Sequence, residues 1–265
     1  MTPGSESERE GWNSSWEKRK TRRDPIHASQ SMLKLGAIMG TVPSKIEKLF
    51  NRLHEEAMWL QANWAIYDQL FNRSELRYKM VYECSALAAY CVQNALETEI
   101  VMSLSRLTDE PGSGDEERLS FQQFHAFLEK STEKKLAEKL RSKIKTIRKE
   151  CELIRKHRNT RLAHLNKKIA IKEDPGPDPL PIEHMEKAIK AFQEYFSAFQ
   201  HHYQPDTEFT YDIPVTYAGD ALISVLKHGL RLRELIDEKK LAPVERRGGK
   251  WKDVLTEKPK VSPAQ

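Results

Sequence analysis

Two residues in this chain could together do chemistry on a phosphate, and one of them stands where a leucine belongs. Ile147, Cys151, Ile154, Arg158, Leu162, Leu165 and Ile169 follow one another at spacings of 4, 3, 4, 4, 3 and 4, the rhythm of a helix face packed against neighbours. Six of these positions are apolar and Arg158 is a fixed cation. A guanidinium on such a stripe costs several kcal/mol unless an anion or a set of hydrogen bonds meets it, so Arg158 is a candidate anion-binding residue. Six residues on comes His164. An imidazole can give or take a proton near neutral pH, and a guanidinium offers a planar fork to phosphate oxygens.

At about 100° per residue, His164 lies roughly 120° around a regular helix from Arg158. The pair cannot serve one target across a straight helix face, so either the helix is distorted there or two copies of the chain share the site about a two-fold axis. Asn159 places an amide directly after the arginine. His157 and Arg161 fall on the face of His164 and could extend an anion site, or equally be surface residues, and Lys167 and Lys168 form a basic rim. The blander account is that Arg158 meets an internal carboxylate such as Glu83, Glu97 or Glu99. Two other Arg/His pairs, Arg22 with His27 and Arg118 with His125, fall in a polar tail and across a loop into a helix start.

Charge is distributed unevenly. Residues 134–168 carry 14 Lys or Arg against 3 Glu, a balance of +11, whereas the whole chain sums to +5 and the remainder therefore to −6. Concentrated on the helix that holds Arg158, this favours a polyanion partner. With 38% hydrophobic and 31% charged residues in 265, the composition suits long amphipathic helices in one core with appendages. No apolar run reaches the length of a membrane span and the N-terminus lacks a signal-type core, so a cytoplasmic protein is expected. Cys84, Cys91 and Cys151 are read as reduced core thiols. No metal-ligand spacing, glycine-rich phosphate loop or nucleophile elbow occurs, and neither a metal nor a cofactor is expected.

The elements that must position these residues are helices. Residues 1–40, with the basic run Lys18–Arg23, read as a disordered or loosely attached tail, and Met39 is a possible start alongside Met1. A helix runs from Pro43 to about Phe71, and a second, from about 75 to 108, carries Leu76, Met80, Cys84, Leu87, Cys91, Ala95, Thr98 and Met102 on one face. Ser120 and Gln123 form a capping box for a short helix, and Ser131 and Thr132 cap the helix of Arg158, about 133–169. A proline-rich loop follows, then a helix with Met185, Ile189, Phe192, Phe196, Phe199 and Tyr203 in register as core. An extended segment leads to a last helix, about 218–240, with Leu222, Val225, Leu226 and Leu230, so that 206–242 is expected to pack on the domain formed by 41–205. Residues 243–265 read as a disordered tail.

The wording Arg155-Lys156-His157-Arg158-Asn159-Thr160-Arg161-Leu162-Ala163-His164-Leu165 resembles the HEPN superfamily of helical domains, whose motif is an arginine, often a polar residue after it, and a histidine four to six positions on. It is most similar to the AbiU-type abortive-infection subgroup of phage-defence proteins. Arg106-Leu107-Thr108-Asp109 is a second, vaguer likeness. The resemblance covers roughly residues 43–205 and implies an all-α, HEPN-like bundle of about five or six helices. It further implies a metal-independent endoribonuclease of a toxin or phage-defence system. Arg158, His164 and Asn159 would be catalytic at a homodimer interface, with Arg161, His157, Lys167 and Lys168 binding RNA and an antitoxin or other defence protein as possible partner. The alternative is a non-catalytic HEPN-like module that binds RNA or nucleotide or docks onto a partner.

Overall fold

In the computed structural model, residues 42–110, 112, 118–162, 180–205 and 217–240 are described, and all regular structure among them is helical. The two tails, the proline-rich loop and the extended segment before the last helix lie outside the described residues.

Helix α1 (Ser44–Tyr67) buries Ile46, Phe50, Leu53, Ala57 and Leu60 at the three- and four-residue spacing read from the sequence. It runs into a π turn, Asp68–Asn72, that buries Gln69, Leu70 and Phe71. Ser74 then caps α2 (Glu75–Cys84) by accepting from the Arg77 amide. The expected single helix over 75–108 is two helices. Ser85 adopts an extended conformation (φ −167°, ψ 102°) between α2 and α3 (Ala86–Thr108), and the bend lets the Tyr82 hydroxyl donate to Gln93 Oε1 at 2.8 Å. The Ser120 cap forms as expected, its hydroxyl accepting from the Gln123 amide at the start of α4 (Phe121–Lys130). Ser131 and Thr132, expected to cap the next helix, do not: Ser131 accepts from the Glu133 amide, and Glu133 precedes α5 (Lys134–Glu150) without a side-chain cap bond.

The core is aromatic where α1, α4 and α7 (Ile182–Tyr203) meet. Phe50 stacks on Phe199 with ring centroids 4.0 Å apart, Phe121 lies 4.6 Å from Phe192, and Met185, Ile189, Phe192, Phe196 and Phe199 of α7 are buried as their spacing predicts. Helix α5 packs along α7 through Leu136, Leu140, Ile144 and Ile147. Fully burying each of these side chains contributes roughly 1.5–3 kcal/mol, so the aromatic layer fixes α4 and α5 before any polar contact is considered.

Helix α8 (Ala218–Asp237) docks on α1, α2 and the π turn. The sequence reading put Leu222 and Val225 on its inner face, and the structure corrects this: both are exposed, while Gly219, Ile223 and Leu226 face the protein. The reason is a polar lock at the helix start. The Asp220 amide donates to Gln69 Oε1 at 3.0 Å, satisfying one of the free N–H groups of the first turn, and Arg73 and Arg77 reach the Asp220 carboxylate. These bonds draw the chain so close that a Cβ on Gly219 would lie 2.6 Å from Gln69 Cβ.

Gly219→Ala should therefore destabilise the docking of α8 by about 1–3 kcal/mol through overpacking, read as faster amide hydrogen exchange over 218–237. Gly229, beside open space on the same helix, is the control. Gly229→Ala should stabilise by up to about 1 kcal/mol from helix propensity, and equal effects at both positions would contradict the close approach.

Candidate functional site

The helix expected over 133–169 is interrupted twice within the described residues. Helix α5 ends at Glu150, Cys151 forms a turn, α6 (Glu152–His157) follows, and at Arg158 the chain enters a π turn, Arg158–Leu162. The local distortion is real, and it begins at the arginine itself. Thr160 contributes to it by donating its hydroxyl back to the carbonyls of Lys156 and His157 at 2.9 and 3.3 Å, a habit of mid-helix threonines that loosens the backbone ladder. One-residue π insertions of this kind concentrate at functional sites.

Ile147, Cys151 and Ile154 are wholly buried on this face, and burial pushes the Cys151 thiol up to about 12, so it is not a nucleophile. Arg158 is the next position on the stripe. Its side chain retains 17% of its exposure, and its Nη1 donates to both oxygens of Asp109 at 2.9 and 3.0 Å, Asp109 being 16% exposed. The internal carboxylates suggested from sequence play no part: Glu83 is exposed, Glu97 accepts from Tyr67 and Gln93, and Glu99 accepts from Ser103 and Arg106.

Asp109 directly follows α3, with an extended backbone (φ −60°, ψ 151°) that turns the chain out of the helix. A carboxylate at a helix C-terminus faces the negative end of the dipole, and two arginines answer that charge. Arg158 takes the carboxylate, and Arg155 Nη1 donates to the Thr108 carbonyl at 3.1 Å, which Gln122 Nε2 of α4 also approaches at 2.9 Å. The end of α3, α4 and the π turn are thereby held on one point.

Asn159 accepts from Arg158 Nε at 3.0 Å, so the amide orients the guanidinium. Nη1 and Nε are engaged, and Nη2 has no hydrogen-bond partner among the described residues. His157 is half-buried beside Arg158, and Arg161 lies in the π turn. His164, Lys167 and Lys168 lie outside the described residues, so the structure joins Arg158 to Asn159 and Asp109 and leaves the histidine's geometry undescribed. Asp109 was missed in the sequence reading, although the likeness noted at Arg106–Asp109 ends on it.

Helix α5 presents Lys134, Lys135, Lys139, Lys145 and Lys149 to solvent without an ion pair among the described residues. Its other cations are answered: Arg141 by Glu129, Lys143 by Glu194 and Arg148 by Glu110. The basic face read from the sequence is a solvated and largely uncompensated one that leads to Arg158. No group of three or more His, Cys, Asp or Glu able to hold a metal occurs among the described residues, and none of their helices is long and apolar enough to cross a membrane.

The family model for AbiU2, a HEPN family, matches residues 43–222. The chain belongs to this AbiU2 family of HEPN domains. No curated protein and no solved structure matches it.

The pairing changes the outcome of a familiar substitution. On the sequence alone, Arg158→Leu on an apolar stripe should cost nothing or stabilise. In the structure it strands Asp109 at a helix C-terminus, so Arg158→Leu should lose about 1–3 kcal/mol. The double variant Arg158→Leu with Asp109→Asn should recover much of it. A coupling near zero in urea denaturation of the four proteins would show that the pair does not hold the segment.

Proposed function

We propose that the protein is a metal-independent endoribonuclease of a phage-defence or toxin system, acting in the cytoplasm at Arg158. The observation that carries this reading is the guanidinium of Arg158: fixed by Asp109 and Asn159, partly open to solvent, with Nη2 unengaged among the described residues, eight residues beyond the end of the largely uncompensated basic helix α5. RNA brings its own nucleophile in the 2′-hydroxyl, so the protein has to supply positive charge at the phosphate and a proton acceptor and donor. Arg158 supplies the charge and His164 the proton transfer. Asn159 keeps the guanidinium oriented, while Arg161, His157, Lys167 and Lys168 join the exposed lysines of α5 in holding the RNA.

One histidine per chain is short of two proton-transfer roles. A homodimer in which the Arg158 segments of two copies face each other would supply the second. The alternative, a HEPN module that binds RNA or nucleotide or docks onto an antitoxin or other defence protein without cleaving, is favoured by one feature: Asp109 already neutralises the charge of Arg158.

Total RNA incubated with the purified protein in EDTA decides between them. Cleavage is expected, leaving 2′,3′-cyclic phosphate and 5′-hydroxyl ends. His164→Ala should lower the rate by 10²- to 10⁴-fold and Arg158→Ala by a comparable factor. Neutralising Lys167 and Lys168 should weaken binding and reduce its salt slope by roughly 0.7 per lost single-strand contact, with cleavage chemistry intact. Binding without cleavage would establish the alternative, and unaltered cleavage by His164→Ala would remove the histidine from the mechanism.

A further inference from the structure

The side of α5 that faces solvent carries cations and no ring. From Leu128 to Ala191 the sequence holds no Phe, Tyr or Trp. The exposed Trp and Tyr side chains among the described residues, Trp59, Tyr78, Tyr90 and Tyr217, stand on α1, α2, α3 and directly before α8, and none on α4, α6 or α7, the helices that pack against α5. The arginines of α5 are occupied too, Arg141 by Glu129 and Arg148 by Glu110. Unpaired RNA is recognised by stacking its bases on aromatic rings or on guanidinium planes. This surface offers neither, so it suits a phosphate backbone whose bases are already stacked on one another.

The placement of the charges points the same way. Leu136, Leu140, Ile144 and Ile147 turn one side of α5 to the core. At about 100° per residue, Lys134 and Lys145 lie to one side of the opposite, outward direction, Lys135 and Lys139 to the other, and Lys149 near the crest. None of these lysines has an ion pair among the described residues, whereas Lys143, on the flank, meets Glu194. Glu138 is the one acid on the ridge. From Lys134 to Lys149 the ridge runs about 22 Å, on a body roughly 10–12 Å across with its side chains. One strand presents one row of phosphates and meets one edge of such a ridge. A double helix presents two rows, at twice the linear charge density of a strand, and the A form sets them on either side of a wide, shallow minor groove. Cations on both edges of a convex helix match the double helix.

We propose that α5 grips a double-helical stem of the substrate RNA through its backbone, without reading bases, and that the scissile bond lies in the unpaired strand that leaves the stem at Arg158. The stem stands on the charge placement and the missing rings, whereas the position of the cut rests on the endoribonuclease reading. In that cleavage the 2′-hydroxyl gives up its proton as its oxygen bonds to phosphorus, and the 5′-oxygen takes one as its bond to phosphorus breaks. The three atoms must come into line. A-form stacking holds the 2′-oxygen off that line, so the strand has to leave the helix where it is cut. Arg158 is placed for this, nine residues past Lys149 and beyond the turn at Cys151.

The test uses the full chain and 2′-O-methyl RNA, which keeps the A form and supplies no nucleophile, so binding is read apart from cleavage. A hairpin with a stem of about 16 base pairs, the span of a double-stranded-RNA domain, is compared by fluorescence anisotropy with an oligouridylate of equal length. The hairpin should bind about tenfold tighter or more at low salt and lose affinity more steeply as salt rises. Lys135→Glu with Lys139→Glu should remove that preference and lower the hairpin's salt slope by roughly 2, with the helical circular dichroism unchanged, while Lys143→Ala on the flank retains it. In ordinary RNA of the same hairpin, the cuts should fall in the unpaired loop or beyond the foot of the stem. Equal or tighter binding of the oligouridylate, or an unchanged preference in the charge-reversed variant, overturns the stem even where total RNA is cleaved. Cuts inside the stem, or an intact hairpin beside cleaved total RNA, overturn the placement of the cut. Binding of neither probe overturns the stem and the RNA reading together, a result distinct from equal binding of both.

Discussion

The end of α3 is held by charge against an unfavourable dipole. Asp109 sits where the helix presents its negative pole and where the chain must turn away, and it is stable there because Arg158 faces its carboxylate and Arg155 occupies the carbonyl one residue earlier. At 17% and 16% side-chain exposure the pair is neither free in water nor sealed from it. Its net contribution to stability is accordingly modest, while either partner alone would be costly. What the pair supplies is position. It fixes α6 and the π turn against α3, and through Gln122 and the Thr108 carbonyl it ties both to α4.

That arrangement depends on the aromatic layer beneath it. Phe121 and Phe124 seat α4 on α1 and α7, so that Gln122, between them, reaches Thr108. The lining of α5 by Leu136, Leu140, Ile144 and Ile147 leaves its lysines no direction except outward. The basic face is thus, first, a by-product of packing. What distinguishes it from an ordinary solvated helix is that, among the described residues, five of its lysines have no ion pair and the Arg158 guanidinium beyond its end keeps one nitrogen without a hydrogen-bond partner.

Much of this was legible in the residues. Periodicity identified the inner faces of α1, α5 and α7, the Ser120 cap set the start of α4, and one cation on an apolar stripe marked the candidate site. The partner of that cation was not legible, because Asp109 is 49 residues away and nothing in either segment names the other. The break at Ser85 was missed for a different reason: serine in an extended conformation carries no signal comparable to glycine or proline. Cys84 and Cys91, read as core thiols, are half-buried and exposed, and Leu76 and Leu87 beside them on the expected face are exposed too, since apolar spacing marks a face without showing that its own chain covers it. Leu222 and Val225 failed similarly, their helix being oriented by Gln69, Arg73 and Arg77 on Asp220 rather than by its longest apolar stripe.

The requirement for arginine at position 158 follows from three simultaneous tasks. One nitrogen holds Asp109, a second holds Asn159, and the third has no hydrogen-bond partner among the described residues. A lysine could satisfy the aspartate, but it has a single nitrogen, which cannot be fixed by two residues in different elements and still present an unengaged donor in a set direction. The π turn serves the same end. It starts at Arg158, so the guanidinium leaves the regular register where its neighbours Ile147, Cys151 and Ile154 are wholly buried. The distortion begins at the charge itself, and the pair stays partly desolvated, with side-chain exposures of 17% and 16%.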